Sequence, residues 1–183
     1  MLLAAHERSA IQSAIVNAVM PTPVTATSGR VVQRFVNGHA IAGDQAVLAL
    51  VGHAIAAIAA ETRATVLAGE ECGAIALCVS AGLSPLGRSL GLKSTFLRKA
   101  KHQTGKWTSP DFEGARALIV DDVSGTGAAI LRVAAALRAE SCEPVGAVVI
   151  VDREDGARDL LKSSGIELFP LVLWSEIEWD SRI

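Results

Sequence analysis

The second half of the chain alternates short apolar runs with amphipathic stretches. The apolar runs have the lengths and flanking turns of strands that are buried on both faces. They lie at 64–68, 94–97, 115–120, 145–151 and 166–173. Helices are predicted between them at 74–90, with a break near 82–85, and at 127–139 and 154–164. Such alternation requires crossover connections, so it predicts a single-domain α/β fold: a doubly wound, mainly parallel sheet flanked by helices.

The first part of the chain has a less regular pattern. Residues 2–20 place apolar side chains at helical intervals, and Pro21 and Pro23 end that pattern. A short strand is predicted at 31–36, and Asp44 is the predicted N-cap of a largely buried helix that runs to Glu61. We expect residues 1–42 to form a small N-terminal hood of helix and strand beside a core of residues 43–183.

Composition and charge narrow the classes of partner. The chain has 183 residues, half of them apolar, with a formal net charge of −2, so it is long enough for one substantial core and has no bulk basic field for nucleic acid. Its three cysteines lack the spacing of a zinc site and favour a reducing compartment. No apolar run reaches the roughly 18 residues of a membrane span. We therefore expect a cytoplasmic chain that binds neither nucleic acid nor membrane.

The strongest chemical signal lies at residues 116–130. An apolar run ends in two adjacent carboxylates, Asp121 and Asp122, and a loop of small residues then enters a predicted helix. Gly125 and Gly127 allow backbone N–H groups to face a ligand, and Ser124 and Thr126 add hydroxyl donors beside the positive end of that helix.

The two kinds of group suit different parts of one ligand. Carboxylates repel a phosphate, but they accept hydrogen bonds from a ribose diol or bind hydrated Mg²⁺. The segment therefore predicts a ligand with both a phosphate and vicinal hydroxyls. No lysine follows the second glycine as in a P-loop, and the third small position of a dinucleotide fingerprint is missing. An ordinary strand-to-helix turn with a capping aspartate is the remaining alternative.

Residues 116–130 resemble the phosphoribosyl pyrophosphate signature of type I phosphoribosyltransferases. Residues 96–105 are similar to the lid of orotate phosphoribosyltransferases, and Arg153 follows the next strand as the orotate-contacting arginine of that family does. Residues 28–30 with Phe35 resemble the N-terminal substrate loop of the family, and residues 69–73 resemble its pyrophosphate-binding turn. The resemblance extends from Thr27 to the C-terminus.

The resemblance implies displacement at ribose C1, with pyrophosphate leaving through an oxocarbenium-like transition state. It implies that Asp121, Asp122, Lys101 and His102 are catalytic. The implied contacts to phosphoribosyl pyrophosphate are Arg98, Lys99, Lys101, His102, Asp121, Asp122, Val123, Ser124, Gly125, Thr126, Gly127, Ala128 and Ala129. The implied contacts to the base are Arg153, Phe35 and Gly125. Mg²⁺ is the expected cofactor, held through the substrate with Asp121 and Asp122 as candidate ligands. Residues 98–113 are expected to form a mobile lid shared between the subunits of a homodimer.

Several departures from the family pattern leave the base open. The lid is shorter than usual between Lys99 and His102, Thr27 replaces a lysine, and Gly125 replaces a threonine that contacts the base. Transfer to another purine or pyrimidine is therefore a second hypothesis, and a non-catalytic sensor of phosphoribosyl pyrophosphate is a third. Both proposed base contacts also have simpler alternatives. Arg153 could pair with a neighbouring acid on the surface, and Phe35 could be an ordinary core residue.

Overall fold

A five-stranded sheet forms the centre of the molecule. The computed structural model describes residues 3–20, 23–25, 31–32, 34–98 and 112–179. The strands are β5 (Val66–Glu70), β6 (Lys93–Leu97), β7 (Arg116–Ser124), β8 (Glu143–Asp152) and β9 (Leu168–Leu173). They are ordered β6-β5-β7-β8-β9, and every neighbouring pair is parallel. The predicted parallel α/β sheet is confirmed.

Helices lie in the connections from β5 to β6, from β7 to β8 and from β8 to β9, as crossover connections require. The helices are α1 (Ala5–Asn17), α2 (Gly38–Gly43), α3 (Gln45–Thr62), α4 (Gly73–Leu83), α5 (Pro85–Leu90), α6 (Ala128–Ala139) and α7 (Ala157–Ser163), and a 3₁₀ turn spans Trp174–Glu176. The break predicted near 82–85 is present, because the Ser84 side chain accepts a hydrogen bond from the Gly87 N–H and starts a new helix at Pro85. Asp44 caps α3 as predicted, accepting hydrogen bonds from Ala46 and Val47.

The core consists of two apolar clusters, one on each face of the sheet. Within β7, Leu118 and Val120 belong to the cluster that includes α1, α3 and α4, whereas Ala117 and Ile119 belong to the cluster that includes α6 and α7. Side chains along a strand point alternately to opposite faces, so this division is the direct sign of a strand that is buried on both sides.

Helix α3 is long and apolar enough, by length and hydropathy alone, to cross a membrane. In this structure it is a core helix, since Val51, Ala54 and Ile58 are buried and belong to the first cluster. Gly52 permits a close crossing with α4, because a Cβ at this position would overlap Ser80.

Two sequence predictions about strands need correction. The apolar run at 31–36 is not one strand: β3 (Val31–Val32) pairs with β2 (Val24–Thr25), and β4 (Phe35–Val36) pairs with β1 (Val19–Met20). The chain changes its pairing partner within the run, and an apolar pattern reports burial rather than partner. Strand β7 is also longer than the predicted 115–120, because its pairing with β8 continues through Asp121 to Ser124.

Candidate active site

A cleft of about 330 Å³ opens at the carboxyl edge of the central sheet. Its walls come from the hood between Phe35 and His39, the turn after β5, the loop from β7 into α6, and the turn after β8. Ligands of open parallel sheets bind at this edge.

The loop between β7 and α6 supplies donors for an anion. Gly127 has φ +78° and caps α6 at its N-terminus, where the first N–H groups have no partner within the helix. Thr126 is exposed, whereas Ser124 is 3% exposed and its hydroxyl has no hydrogen-bond partner among the described residues. Thr126 and the backbone amides are therefore the accessible donors of this loop, and the Ser124 hydroxyl lies deeper than the sequence suggested.

The two predicted acids lie within the last part of β7, beside this loop. The Asp122 N–H donates to Asp121 Oδ1 at 3.1 Å, and the Val123 N–H donates to Asp122 Oδ1 at 2.8 Å. Glycines from two other segments leave room for the Asp122 carboxylate: a Cβ at Gly38 would overlap it, and one at Gly73 would lie 3.3 Å away. The hood and the turn after β5 therefore both pack closely against the Asp122 carboxylate.

The turn after β5 is tied to α6 by an ion pair. Arg132 Nε and Nη2 donate to the two carboxylate oxygens of Glu70 at 2.9 and 3.2 Å, and Glu70 is only 8% exposed. This hydrogen bonding raises the pKa of the Arg132 guanidinium, which keeps its charge. In the same turn, the peptide bond between Glu71 and Cys72 is cis. Arg98, which directly follows β6, forms an ion pair with Glu71, with 3.7 Å between Arg98 Nε and Glu71 Oε1.

Arg153 lies on the opposite side of the cleft from the Glu70 pair, in the turn after β8. Its N–H donates to the Ser124 carbonyl at 2.8 Å, and its Nη1 donates to the carbonyl of Arg34 in the hood at 2.8 Å. Its Nε lies 3.5 Å from Asp155 Oδ2, so the predicted acidic neighbour is present. The side chain is nevertheless 18% exposed and lines the cleft, which differs from an ordinary surface ion pair.

The fold brings most of the predicted site residues to this one cleft. Its lining includes Phe35, Asp121, Asp122, Val123, Ser124, Gly125, Thr126, Gly127, Ala128, Ala129 and Arg153. Of the predicted lid residues, Arg98 follows β6 and is not among the residues that line the cleft, whereas Lys99, Lys101 and His102 lie outside the described residues, as do residues 28–30. Sequence reasoning missed His39, Arg132 and Asp155 as lining residues. Arg132 alone had a usable signal, since it follows Ala128 by one helical turn on the same face.

The described residues suit a metal ion that is held mainly by a ligand. They contain no cluster of three or more His, Cys, Asp and Glu side chains that would hold a metal by itself. Asp121 and Asp122 supply two carboxylates at the cleft. Hydrated Mg²⁺ requires only one or two carboxylates when a phosphorylated ligand supplies further oxygens, so the donor set fits that ion.

Comparison with known proteins identifies the family. The model of the phosphoribosyl transferase domain matches residues 45–169, which contain most of the cleft. The chain belongs to this phosphoribosyltransferase family. Within it, the chain is similar to the orotate phosphoribosyltransferase of Pyrococcus abyssi, with 37% identity over 112 residues, 61% of this chain and 60% of that enzyme. The chain thus matches about three fifths of the length of that curated relative.

Two further relatives extend the match over more of the phosphoribosyltransferase chain. The orotate phosphoribosyltransferase of Methanothermobacter thermautotrophicus is 31% identical over 151 residues, covering 82% of this chain and 81% of that enzyme. The Mycobacterium tuberculosis enzyme of the same name, solved with Fe(III) dicitrate, superposes with a TM-score of 0.80 at 23% identity, over 93% of this chain and 98% of its own. This structural likeness confirms the fold.

The three cysteines differ in exposure, which predicts different reactivities. Cys72 is exposed at the cleft. Burial, and then the charge of Asp121, raises the pKa of the Cys78 thiol, and burial and Glu143 raise the pKa of Cys142. A thiol with a raised pKa stays protonated at pH 8, and the thiolate is the reactive form.

We expect one thiol per chain to react rapidly with Ellman's reagent in the native protein and all three to react after unfolding. Cys72→Ser should remove the rapid phase, and a rapid phase that survives this change would contradict the assignment.

Proposed function

We propose that the chain transfers ribose 5-phosphate from phosphoribosyl pyrophosphate to a nucleobase, with orotate as the leading acceptor, giving orotidine 5′-monophosphate and pyrophosphate. One observation carries the proposal: the carboxylates of Asp121 and Asp122 share a cleft with the Thr126 loop and the N-terminus of α6. The names of the relatives at 31% and 37% identity support orotate as the base.

The cleft provides separate places for the two ends of the sugar. Thr126 and the α6 amides form the anion site for the 5-phosphate, because they combine hydrogen-bond donors with the positive end of a helix. The carboxylates of Asp121 and Asp122 accept hydrogen bonds from the ribose 2- and 3-hydroxyls. This orientation directs ribose C1 away from the loop, towards the turn after β5 and the Arg153 side.

The charges of the cleft explain why a divalent cation belongs to the reaction. The described lining includes four carboxylates, Glu70, Asp121, Asp122 and Asp155, against the guanidinium groups of Arg132 and Arg153. An excess of acids disfavours a pyrophosphate group unless a cation accompanies it. Asp121 and Asp122 would help to hold hydrated Mg²⁺ in the cleft, and the ion would supply that neutralisation.

In the proposed reaction, the bond from C1 to the pyrophosphate oxygen breaks and a bond from C1 to a base nitrogen forms. Positive charge develops on the ribose in the transition state, and the fixed carboxylates of Asp121 and Asp122 stabilise it. Negative charge develops on the departing pyrophosphate. We assign the neutralisation of this charge to Arg98, Lys99, Lys101 and His102 of the predicted lid. Closure of the lid also excludes water.

Arg153 and Phe35 form the proposed base side of the cleft. Gly125 lies against this side, since a Cβ there would come within 3.5 Å of Asp155 Oδ2 and 3.9 Å of Arg153 Cδ. The small residue leaves space for a planar ring beside Phe35. A guanidinium fork matches a carboxylate, and orotate carries one on its ring, whereas uracil and the purines do not.

The first prediction from the proposed function tests the transfer itself. With Mg²⁺ and phosphoribosyl pyrophosphate, the protein should release pyrophosphate in the presence of orotate, and excess EDTA should abolish that release. Asp121→Asn and Asp122→Asn should each lower kcat/KM by about 10²-fold, because a preorganised charge is removed from the transition state. The control Asp159→Asn changes an exposed acid on α7 and should have wild-type activity.

The same preparation separates an enzyme from a sensor. Phosphoribosyl pyrophosphate that occupies the cleft should slow the labelling of Cys72, since this thiol lines the cleft. Protection of Cys72 without pyrophosphate release for any of a panel of bases would replace the transferase with the sensor. Absence of both protection and release would refute the sugar phosphate site.

The second prediction concerns the choice of base. Arg153→Ala should lower kcat/KM for orotate by about 10²-fold, as expected for the loss of hydrogen bonds to a charged group, and should affect bases without a carboxylate much less. Arg153→Lys keeps the charge and loses the fork, so it should recover only part of the activity with orotate. Equal losses with every base in a steady-state panel would remove the reason to prefer orotate.

We also propose a homodimer that uses an apolar stripe on α4. Ile75, Val79 and Leu83 are spaced by four residues on one face of this helix and are 36%, 45% and 63% exposed. The opposite face, with Leu77 and Cys78, is buried in the core. Because α4 starts at Gly73 on the cleft wall, a partner on this stripe would lie beside the cleft, as a shared lid requires.

The third prediction tests this interface. Light scattering after size exclusion should give about twice the chain mass of 19.0 kDa for the wild type. Val79→Glu places a charge in the centre of the stripe and should shift the protein to monomer. Leu160→Glu, at a 42% exposed apolar residue on α7, is the control and should stay dimeric. A monomeric wild type would exclude the proposed dimer.

A further inference from the structure

Four side chains next to the proposed base side of the cleft form a row in which two tryptophan rings lie between two guanidinium groups. The Arg153 guanidinium lies 4.2 Å from the centroid of the Trp174 ring. The Trp174 and Trp179 rings are 4.3 Å apart with an interplanar angle of 43°, and the Arg34 guanidinium lies 5.2 Å from the Trp179 centroid. We call this set, Arg153, Trp174, Trp179 and Arg34, the Arg–Trp ladder.

The register of the sheet places the first two members side by side. Strands β8 and β9 are parallel neighbours, with Val151 opposite Val172 and Asp152 opposite Leu173. The next residue of each strand is Arg153 or Trp174, so the two side chains leave the sheet at the same level. A guanidinium over an indole face is attracted by the negative potential of the ring.

The 3₁₀ turn then brings Trp179 back to Trp174. Glu176 accepts a hydrogen bond from the Leu173 N–H at 2.9 Å, and Glu154 accepts one from the Ser175 N–H at 2.7 Å. Ile177 is 5% exposed and anchors the segment in the core. The ladder is therefore held from both the β8 and the β9 ends.

Arg34 joins the ladder to the hood through two different groups. Its guanidinium lies over Trp179, and its carbonyl accepts the Nη1 hydrogen bond of Arg153. The residue after it, Phe35, begins β4 and lines the cleft. The ladder thus links the two side chains of the proposed base site, although neither tryptophan lines the cleft.

We propose that Trp174 and Trp179 are positioning residues for base recognition, because the ladder holds the Arg153 guanidinium in one orientation before the base arrives. This inference rests on the proposed function. An arginine side chain has several freely rotating bonds, and binding is weakened by the entropy lost when such a side chain is ordered. The indole contact on one face, with Arg34 and Asp155 at its nitrogens, orders the guanidinium in the free protein, so the base does not have to do so.

The test separates the KM for orotate from every other parameter. Trp174→Leu removes the ring beneath Arg153 and should raise the KM for orotate about tenfold, with kcat and the KM for phosphoribosyl pyrophosphate within about twofold of wild type. Trp174→Phe restores an aromatic face and should recover most of the affinity. The matched control is Phe169→Leu, which replaces a partly buried aromatic side chain in β9, the strand that leads into the Trp174 turn. Phe169 lies opposite Val148, five residues before Arg153. It should lower Tm without changing the KM for orotate.

Three kinetic results would overturn the inference and leave the proposed function intact. The first is an unchanged KM for orotate in Trp174→Leu. The second is an equal rise in the Phe169→Leu control, which would make the effect one of stability. A uniform loss of activity towards phosphoribosyl pyrophosphate and base alike would also contradict it.

Failure of the proposed function has a different signature, since the wild type itself would then release no pyrophosphate with orotate. The ladder has a readout that does not depend on turnover: the Nε–H proton of Arg153 should show an upfield ring-current shift in NMR spectra. Trp174→Leu should abolish this shift. A wild-type resonance at the position of an exposed arginine would refute the ladder whatever the activity.

Discussion

The pairing of β7 with β8 beyond the core is the constraint on which the site depends. Because the two strands stay hydrogen bonded as far as Ser124 and Asp152, the acids of β7 and the turn after β8 arrive at one edge of the sheet. The Arg153 N–H then donates to the Ser124 carbonyl and continues this connection into the loops. A shift of register would place Arg153 on the wrong side of the loop and break the contact with Trp174 as well.

The cleft reconciles two opposite charge requirements within a short distance. Asp121 and Asp122 precede a loop whose helix N-terminus attracts anions, so a simple phosphate would be pulled and repelled by adjacent groups. The proposed sugar phosphate would satisfy both groups, since its hydroxyls would bind the acids and its phosphate would bind the amides. Gly38 and Gly73 make this arrangement possible, because larger residues there would displace the Asp122 carboxylate.

The hood and the C-terminal segment meet at the proposed base side although they are far apart in the sequence. Arg34 contacts Arg153 and Trp179, and Arg8 in α1 forms an ion pair with Glu176 at 3.1 Å. These contacts span more than 100 residues, so the proposed base site depends on both ends of the chain. The proposed phosphate site is built more locally, from β7, its loop and α6.

The sequence alone determined the sheet class, the loop of small residues after the two acids, and the position of Arg153 after a strand. These features have local signals: apolar runs of strand length, two acids before a loop of small residues, and a cap such as Asp44. The tertiary structure decided which segments meet. Arg132 forms an ion pair with Glu70, Gly38 packs against Asp122, and Trp174, itself in contact with Trp179, packs against Arg153. None of these contacts has a sequence motif, because each depends on strand register and helix packing. Hydrophobic periodicity records whether a residue is buried, and it carries no information on the distant residue that buries it.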